Sequence, residues 1–501
     1  MLIKISNFGP ISYFEFDTSK NLTMIVGENN IGKSYALTLL YLILKQISDV
    51  GQSPQHFYEF NPRYNFGVFF EEKFTNGMTH VKKLIESKPN ELAWDITEII
   101  SADLLRYVRS ALAVPLSAAL QGTYGDLSNL VNRFSKKSPE ILLEGADVSV
   151  VMAVSDVRLD VTSVIWRAGK VVVKKSKTER QPTRSKNGDF VVYYPEKNRE
   201  LLELNFYPIL LFSMFQTIQK NLGSDVSHVH YLPASRSGLY QALSAFGVII
   251  AELSKSRSFL SKKIELPGIS EPLSDYFIKL SEAKPISKKG ADSKYSLFAS
   301  RIEEDVIKGA IEIDAKSKKL IYRPRGVDLK LDLSSTSSMA SEIGPIVTYL
   351  RHVLPEFDLR RSRSRSKSHI SNEKQIIFIE EPEAHLHPEV QVKFIKIIAD
   401  LTKETNTRVI FTSHSNYIFN KISNEIISGD IDVHSFKALL FKADKQGTIA
   451  QELDTDSYGI DDENFADIGE SLYMDRMNLL DARNKNIDTD VSEKNKKAKR
   501  D

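Results

Sequence analysis

The chain has 501 residues, 42% of them hydrophobic, enough to bury a large core and to form two or more structural units. Its formal net charge is only +2, so nothing global demands a nucleic-acid or membrane partner, and any such surface must be local. Cysteine is absent, which excludes disulfides, thiolate metal sites and cysteine nucleophiles and makes a cytoplasmic location the simplest expectation.

From the N-terminus, Met1 to Pro10 alternates like a strand and lacks the charged start and apolar core of a signal peptide. The apolar run Leu22 to Val26 predicts a buried strand, and Tyr35 to Leu44 predicts a helix. Between them, Gly27-Glu28-Asn29-Asn30-Ile31-Gly32-Lys33-Ser34 fits the phosphate-loop pattern G-x-x-x-x-G-K-[ST]. Its glycines let backbone N–H groups curl round a β-phosphate at the positive end of the helix. Lys33 would reach the β- and γ-phosphates of ATP, and Ser34 would ligate Mg²⁺. The plain alternative is a chance glycine turn before an apolar helix, which the agreement of pattern and flanks disfavours.

Residues 50–140 read as helical, with Glu91 to Leu120 at helical spacing and an interruption at Pro115. From 141 to 195 the pattern changes to alternation and β-branched residues, predicting a β-rich lobe, and a helix is expected over about 197–220. Val229 to Pro233 reads as a strand. Arg236, just beyond it, is open to two readings, a contact to phosphate or a neighbouring subunit and a surface arginine capping the strand. Residues 250–300, rich in Lys and Ser with Pro267 and Pro272, suggest an exposed insertion, and no heptads run long enough for a coiled-coil arm. Apolar stretches such as Tyr207 to Phe215 fall well short of the ~20 residues of a membrane helix, so no membrane partner surface is expected.

The basic run from Arg360 through Lys367 to His369 predicts a surface loop, either simply solvated or able to hold phosphates of DNA or RNA. Ile376 to Ile379 then reads as a buried parallel strand that ends in Glu380-Glu381. At a phosphate site Glu380 would hold magnesium through water, and Glu381 would orient or deprotonate the attacking water. A further apolar strand, Arg408 to Phe411, leads into Thr412-Ser413-His414, which places His414 to sense a γ-phosphate. Glu383, His385 and His387 are metal-ligand types, but Leu386 among them suggests packing rather than a zinc site. Asn484 to Asp501 is a charged tail expected to be disordered.

The acidic strand begins 349 residues after the loop, so a large insertion separates the two halves of the site. The stretch Glu380 to Pro388 resembles the Walker B and D-loop of the OLD (overcoming lysogenization defect) group of ABC-type ATPases, relatives of RecF, Rad50 and SMC heads, with Glu-Glu where Asp-Glu is often found. The resemblance covers roughly residues 1–45 and 228–480. It implies an α/β fold, an ABC/SMC-head-like P-loop NTPase with a β-rich lobe and helical insertions. The implied organisation is a core half with Walker A at 1–49, a helical insertion at 50–140, a β-rich lobe and helix at 141–227, the second core half at 228–480 and a tail at 481–501.

The resemblance also implies a signature segment that closes over the nucleotide of a second copy. Leu331 to Pro345 stands where the family order requires it, but lacks the usual paired glycines, which leaves open whether Ser337 or Ser338 makes the contact. The implied activity is slow, regulatory ATP hydrolysis in a homodimer or higher even-numbered assembly. Asp454-Thr455-Asp456 is reminiscent of the paired aspartates of a TOPRIM nuclease, but too few residues follow His414 for that domain. Such chains are similar to the ATPase subunits of two-gene anti-phage systems such as PARIS and Septu. The expected partners are therefore a separately encoded TOPRIM or HNH nuclease and a phage-encoded trigger. The alternative is a RecF-like repair ATPase that clamps DNA directly.

Overall fold

The computed structural model describes residues 1–52, 75–195, 226–242, 269–284, 293–355, 374–462 and 469–483, with positions 89, 156, 168, 179, 181, 182, 187, 315 and 316 left out. It also describes scattered positions between 210 and 222, and residue 465. The basic run at 360–369, most of the helix expected at 197–220 and the tail at 484–501 lie outside the described residues.

Alternating residues make the opening hairpin. Ile3 and Ile5 of β1 (Leu2–Phe8) are buried, and β2 (Ile11–Asp17) returns antiparallel to it. β3 (Leu22–Gly27) is buried along its whole length and leads through the phosphate-type loop into α1 (Lys33–Gln52). Residues 39–44 of α1 are all 0% exposed, so the middle of this helix is apolar on every side because it is enclosed on every side.

α2 (Thr75–Ser87) and the short β4 (Ala93–Asp95) precede α3 (Thr97–Val108), which continues through a π turn, Arg109–Ala113, into α4 (Val114–Tyr124). Pro115 was expected to interrupt this helix. The chain stays helical because the wider turn just upstream accommodates the missing N–H and the ring. β5 (Glu140–Glu144), β6 (Val148–Val154) and β7 (Leu159–Trp166) extend the hairpin sheet, whereas β8 (Val171–Ser176), β9 (Thr183–Arg184) and β10 (Phe190–Pro195) join β4 in a separate sheet.

β11 (Val226–Leu232) is followed by α5 (Glu271–Ser281) and α6 (Lys294–Ile302). Of the exposed insertion expected over 250–300, residues 250–268 and 285–292 lie outside the described residues, and neither of these two helices is an exposed element. α5 buries Tyr276 and Leu280, and α6 buries Tyr295, Phe298, Ala299 and Ile302, an apolar i, i+3/i+4 stripe hidden in the sequence among lysines and serines. A three-stranded sheet, β12 (Gly309–Ile313), β13 (Leu320–Pro324) and β14 (Leu331–Asp332), precedes α7 (Ser338–Thr348). Then come β15 (Lys374–Ile379), α8 (Pro388–Glu404), β16 (Thr407–Thr412), α9 (Asn416–Ile427), β17 (Phe436–Asp444), β18 (Gly447–Glu452) and the small hairpin β19 (Thr455–Asp456) with β20 (Gly459–Ile460).

The main sheet has eleven strands in the order β11, β15, β16, β3, β17, β18, β2, β1, β5, β6, β7. The first five run parallel and carry helices on both faces, and the rest form a mostly antiparallel lobe. Strand alternation divides the core in two. Ile25, Ile376 and Phe378 face the α1 side, while Met24, Val26, Ile377 and Ile379 face the side of α7, α8 and α9. Burial on both faces explains why the parallel strands read as unbroken apolar runs. The α/β fold implied by the sequence is the one observed, and the 349-residue separation is bridged because β16 stands between β3 and β15.

Candidate functional site

The carboxyl ends of β3, β16 and β15 lie side by side, and each delivers one reactive group. After β3 the chain turns through Gly27, at φ +139°, where an added Cβ would stand 2.5 Å from the carbonyl oxygen of Phe441. Only glycine fits so close to β17. Gly32, at φ +97°, packs against Pro10 of the opening hairpin, and Thr448 Oγ1 donates to the carbonyl of the buried Ile31 at 2.8 Å. The loop is thus pinned to the β-lobe, while Glu28, Asn29, Asn30 and Ser34 remain exposed.

Lys33 opens α1 and is 5% exposed, with its ammonium donating to the carbonyls of Gly27 at 2.9 Å and Glu28 at 2.5 Å. Burial pulls its pKa down to about 8, against the attraction of Glu381, Glu383 and Glu28. A buried cation whose hydrogen bonds go to backbone carbonyls, with no carboxylate in direct contact among the described residues, gains from an arriving polyanion.

Glu380 directly follows β15. Its Oε1 accepts the Tyr231 hydroxyl at 2.6 Å, and its Oε2 accepts the Ala234 N–H at 3.0 Å. Glu381 adopts a left-handed conformation, φ +42°, with its N–H donated to Thr412 Oγ1 at 3.2 Å. Its carboxylate lies 3.9 Å from Nε2 of His414. Burial, and next the charge of Lys33, hold the His414 pKa below its usual value against the pull of Glu381, so the imidazole is neutral at physiological pH.

Glu383 places this histidine. Its Oε1 accepts the Ser413 hydroxyl at 2.9 Å and the His414 backbone N–H at 2.6 Å, although the sequence suggested it only as a metal-ligand type. Burial raises its pKa, opposed by these bonds. His387 caps α8, its Nδ1 accepting the Glu389 N–H at 3.4 Å, and Leu386 is buried as its apolar character suggested. Asp456 accepts the Tyr458 N–H at 2.7 Å in the turn between β19 and β20.

The two residues expected to hold magnesium, Ser34 and Glu380, offer one hydroxyl and one carboxylate, both oxygen donors. That composition fits Mg²⁺, which keeps several waters and takes its other ligands from phosphate. Glu380 already accepts a protein hydrogen bond on each oxygen, which fits a hold on the ion through water.

Ser337 and Ser338 are exposed at the start of α7. Ser337 is the N-cap, its hydroxyl accepting the Ala340 N–H at 3.3 Å, whereas Ser338 leads the first turn. Arg236 is neither exposed nor poised for a phosphate: it is 0% exposed and bonded to the carbonyls of Glu380 and Glu381.

A cavity of about 520 Å³ opens beside the loop, lined by Gly9, Tyr35, Tyr124, Asn129, Arg133 and Phe134. Tyr35 immediately follows Ser34, its ring lies 4.4 Å from that of Tyr124, and Phe134 is 63% exposed. Nothing in the spacing of these residues joins positions 124–134 to position 35, so the cavity was not visible in the sequence.

The family model of the AAA ATPase domain matches residues 1–223 and 280–419. No match is found among curated proteins. Among solved structures, a Smc head domain with an extended coiled coil bound to the C-terminal domain of ScpA, derived from Pyrococcus furiosus, is 12% identical, with 95% of this chain and 98% of that chain covered at a TM-score of 0.36. A SmcHead bound to the C-winged helix domain of ScpA is 11% identical, with 90% and 97% covered at 0.34. The SMC head domain from Thermotoga maritima is 10% identical, with 90% and 98% covered at 0.32.

Proposed function

Because the chain belongs to the AAA ATPase domain family, we propose that it binds ATP along the Gly27–Ser34 loop and hydrolyses it with Glu381 as the base and His414 as the γ-phosphate sensor. The observation that carries this reading is the convergence of Lys33, Glu381 and His414 at the ends of three adjacent parallel strands.

Lys33 exchanges its two carbonyl partners for phosphate oxygens, and the exposed N–H groups of the loop take the β-phosphate. Ser34 and Glu380 would hold Mg²⁺, which would supply neutralising charge at the phosphates. Glu381 accepts a proton from the attacking water as its oxygen bonds to the γ-phosphorus and the bond to the ADP oxygen breaks. Neutral His414 donates its one N–H to a γ-phosphate oxygen. The cavity beside Tyr35 takes the nucleoside half. The start of α7 in a second copy, with Ser338 and free N–H groups, closes over the γ-phosphate and makes hydrolysis depend on a homodimer or a larger even-numbered assembly.

The biological role that best accounts for this chemistry is a sensor or scaffold of bacterial anti-phage defence, with ATP-driven assembly controlling a separately encoded nuclease. The likeness of the 380–388 stretch to the OLD group supports it, as does a hydrolytic site suited to switching. Mass measurement with and without ATP and Mg²⁺ tests the composite site, and Glu381→Gln is expected to trap the assembly while slowing hydrolysis by roughly 10²–10⁴-fold. A monomer under every nucleotide condition refutes it. Co-expression with the neighbouring gene tests the role: a stable complex with a nuclease supports defence, and tight nucleotide-gated DNA binding without a partner supports a RecF-like repair ATPase.

A further inference from the structure

Arg236 takes no part in the hydrolytic steps above, yet its guanidinium is 0% exposed and lies directly beneath the acidic pair. Nη1 donates to the carbonyls of Pro233 at 2.9 Å and Glu380 at 2.8 Å, Nη2 donates to the carbonyl of Glu381 at 3.3 Å, and Nε donates to the carbonyl of Glu342 at 3.1 Å. Glu342, the fifth residue of α7, is also 0% exposed. Its carboxylate accepts the N–H groups of Arg236 at 3.0 Å and Ser237 at 3.2 Å and the Ser237 hydroxyl at 2.6 Å, and it pairs with Arg236 Nε at 3.4 Å. One planar side chain therefore spans three elements: the end of β11, the first turns of α7, and the turn that carries Glu380 and Glu381. Two residues beside this clamp, Ser235 at φ +55° and Glu381 at φ +42°, hold left-handed conformations that L side chains rarely adopt and that persist where surrounding bonds fix them.

We infer that Arg236 is a positioning residue for hydrolysis: through Glu342 it ties the aim of Glu381 to the placement of α7. The inference rests on the proposed role of Glu381. A shift of α7 as Ser338 engages the nucleotide of a second copy is carried by the Glu342–Arg236 pair to the Glu381 peptide, so that the base is aligned only in the closed assembly.

The test uses the full chain with ATP and Mg²⁺. Arg236→Lys keeps the buried charge opposite Glu342, but its single ammonium cannot span both carbonyls of the acidic pair. ATP affinity is expected to stay within about threefold and ATP-dependent assembly to persist, while kcat falls by roughly 100-fold, the scale of a misplaced catalytic group. Glu342→Gln should reproduce the kcat loss, and the two substitutions together should cost no more than the worse one alone. Should a single variant fail to fold, the paired Arg236→Met and Glu342→Leu exchange leaves no orphaned buried charge and is read in the same way. Near-normal kcat in a folded variant, loss of ATP affinity in step with kcat, or losses that multiply each overturn the inference. Normal hydrolysis by Glu381→Gln would instead remove the proposed base itself.

Discussion

Tyr231 donates its hydroxyl hydrogen to Oε1 of Glu380 across 2.6 Å, reaching from β11 to the end of the neighbouring parallel strand while itself only 3% exposed. Since Tyr231 gives its one hydrogen to the carboxylate, the hydroxyl of Thr38 on α1, 3.0 Å away, must donate to Tyr231. The helix that follows the phosphate loop thus orients the Glu380 carboxylate, the proposed magnesium ligand, through a chain of two hydrogen bonds. Tyr231→Phe should weaken the apparent magnesium affinity of ATP hydrolysis by roughly tenfold, the lower end of losses for outer-shell partners. The rate should recover at saturating Mg²⁺, and denaturant unfolding should show a loss of about 1–3 kcal/mol for the carboxylate bond left unmade. An unchanged magnesium titration refutes the orienting role.

The buried ammonium of Lys33 predicts a pH dependence of ATP binding. Its pKa of about 8 in the free protein is depressed by burial, and a bound polyphosphate stabilises the charged form and raises that pKa. Binding therefore takes up protons above pH 8. Affinity should be nearly constant from pH 7 to 8 and fall by up to about tenfold per unit as pH rises through 8 toward 9.5. Equilibrium titration with a fluorescent ATP analogue measures it, and a flat profile to pH 9.5 removes Lys33 as the titrating phosphate ligand.

The parts of this site that were legible in the sequence are those whose chemistry is local. Gly27, Gly32, Lys33 and Ser34 announce themselves because a turn, a close backbone approach and a helix start must fall within eight residues. Glu380, Glu381 and His414 are legible as strand ends, since strands buried on both faces leave unbroken apolar runs before them. The clamp at Arg236 was illegible because every one of its side-chain partners except Pro233 lies more than 100 residues away. The same holds for the Tyr231 bond, the cavity between the hairpin and residues 124–134, and the buried stripes of α5 and α6, whose apolar spacing is diluted by lysine and serine. The bonds and the cavity leave no local pattern, because tertiary packing alone selects their partners, and the helical stripes leave only a weak one.

Ser337 and Ser338 should separate cleanly on substitution. Ser337 caps α7 through the Ala340 N–H, so Ser337→Ala is expected to cost about 1 kcal/mol of stability and to slow hydrolysis only modestly. The exposed hydroxyl of Ser338 is free to meet the nucleotide of a second copy, so Ser338→Ala should abolish most hydrolysis while ATP binding by a single chain stays nearly intact. Thermal melts, ATP titration and phosphate release distinguish the two. Loss of ATP binding in Ser338→Ala would argue that this helix start serves its own chain, and an unaffected rate would argue that it serves neither.

Phe134 offers the last prediction. A large aromatic residue left 63% exposed in the lining of a 520 Å³ cavity that it shares with Tyr35 could stack on the flat heterocycle of a nucleotide whose phosphates are proposed to lie along the neighbouring loop. Base–aromatic stacking contributes about 1–3 kcal/mol, so Phe134→Ala should weaken ATP binding by roughly 5–150-fold. Inorganic tripolyphosphate, which presents the same anionic chain without a base, should bind the variant as it binds the wild type. Equal weakening of both ligands would mean that Phe134 supports the loop rather than the nucleoside, through its contact near Gly447 where the β17–β18 turn packs against Pro10. Neither ligand weakening would place the base outside this cavity.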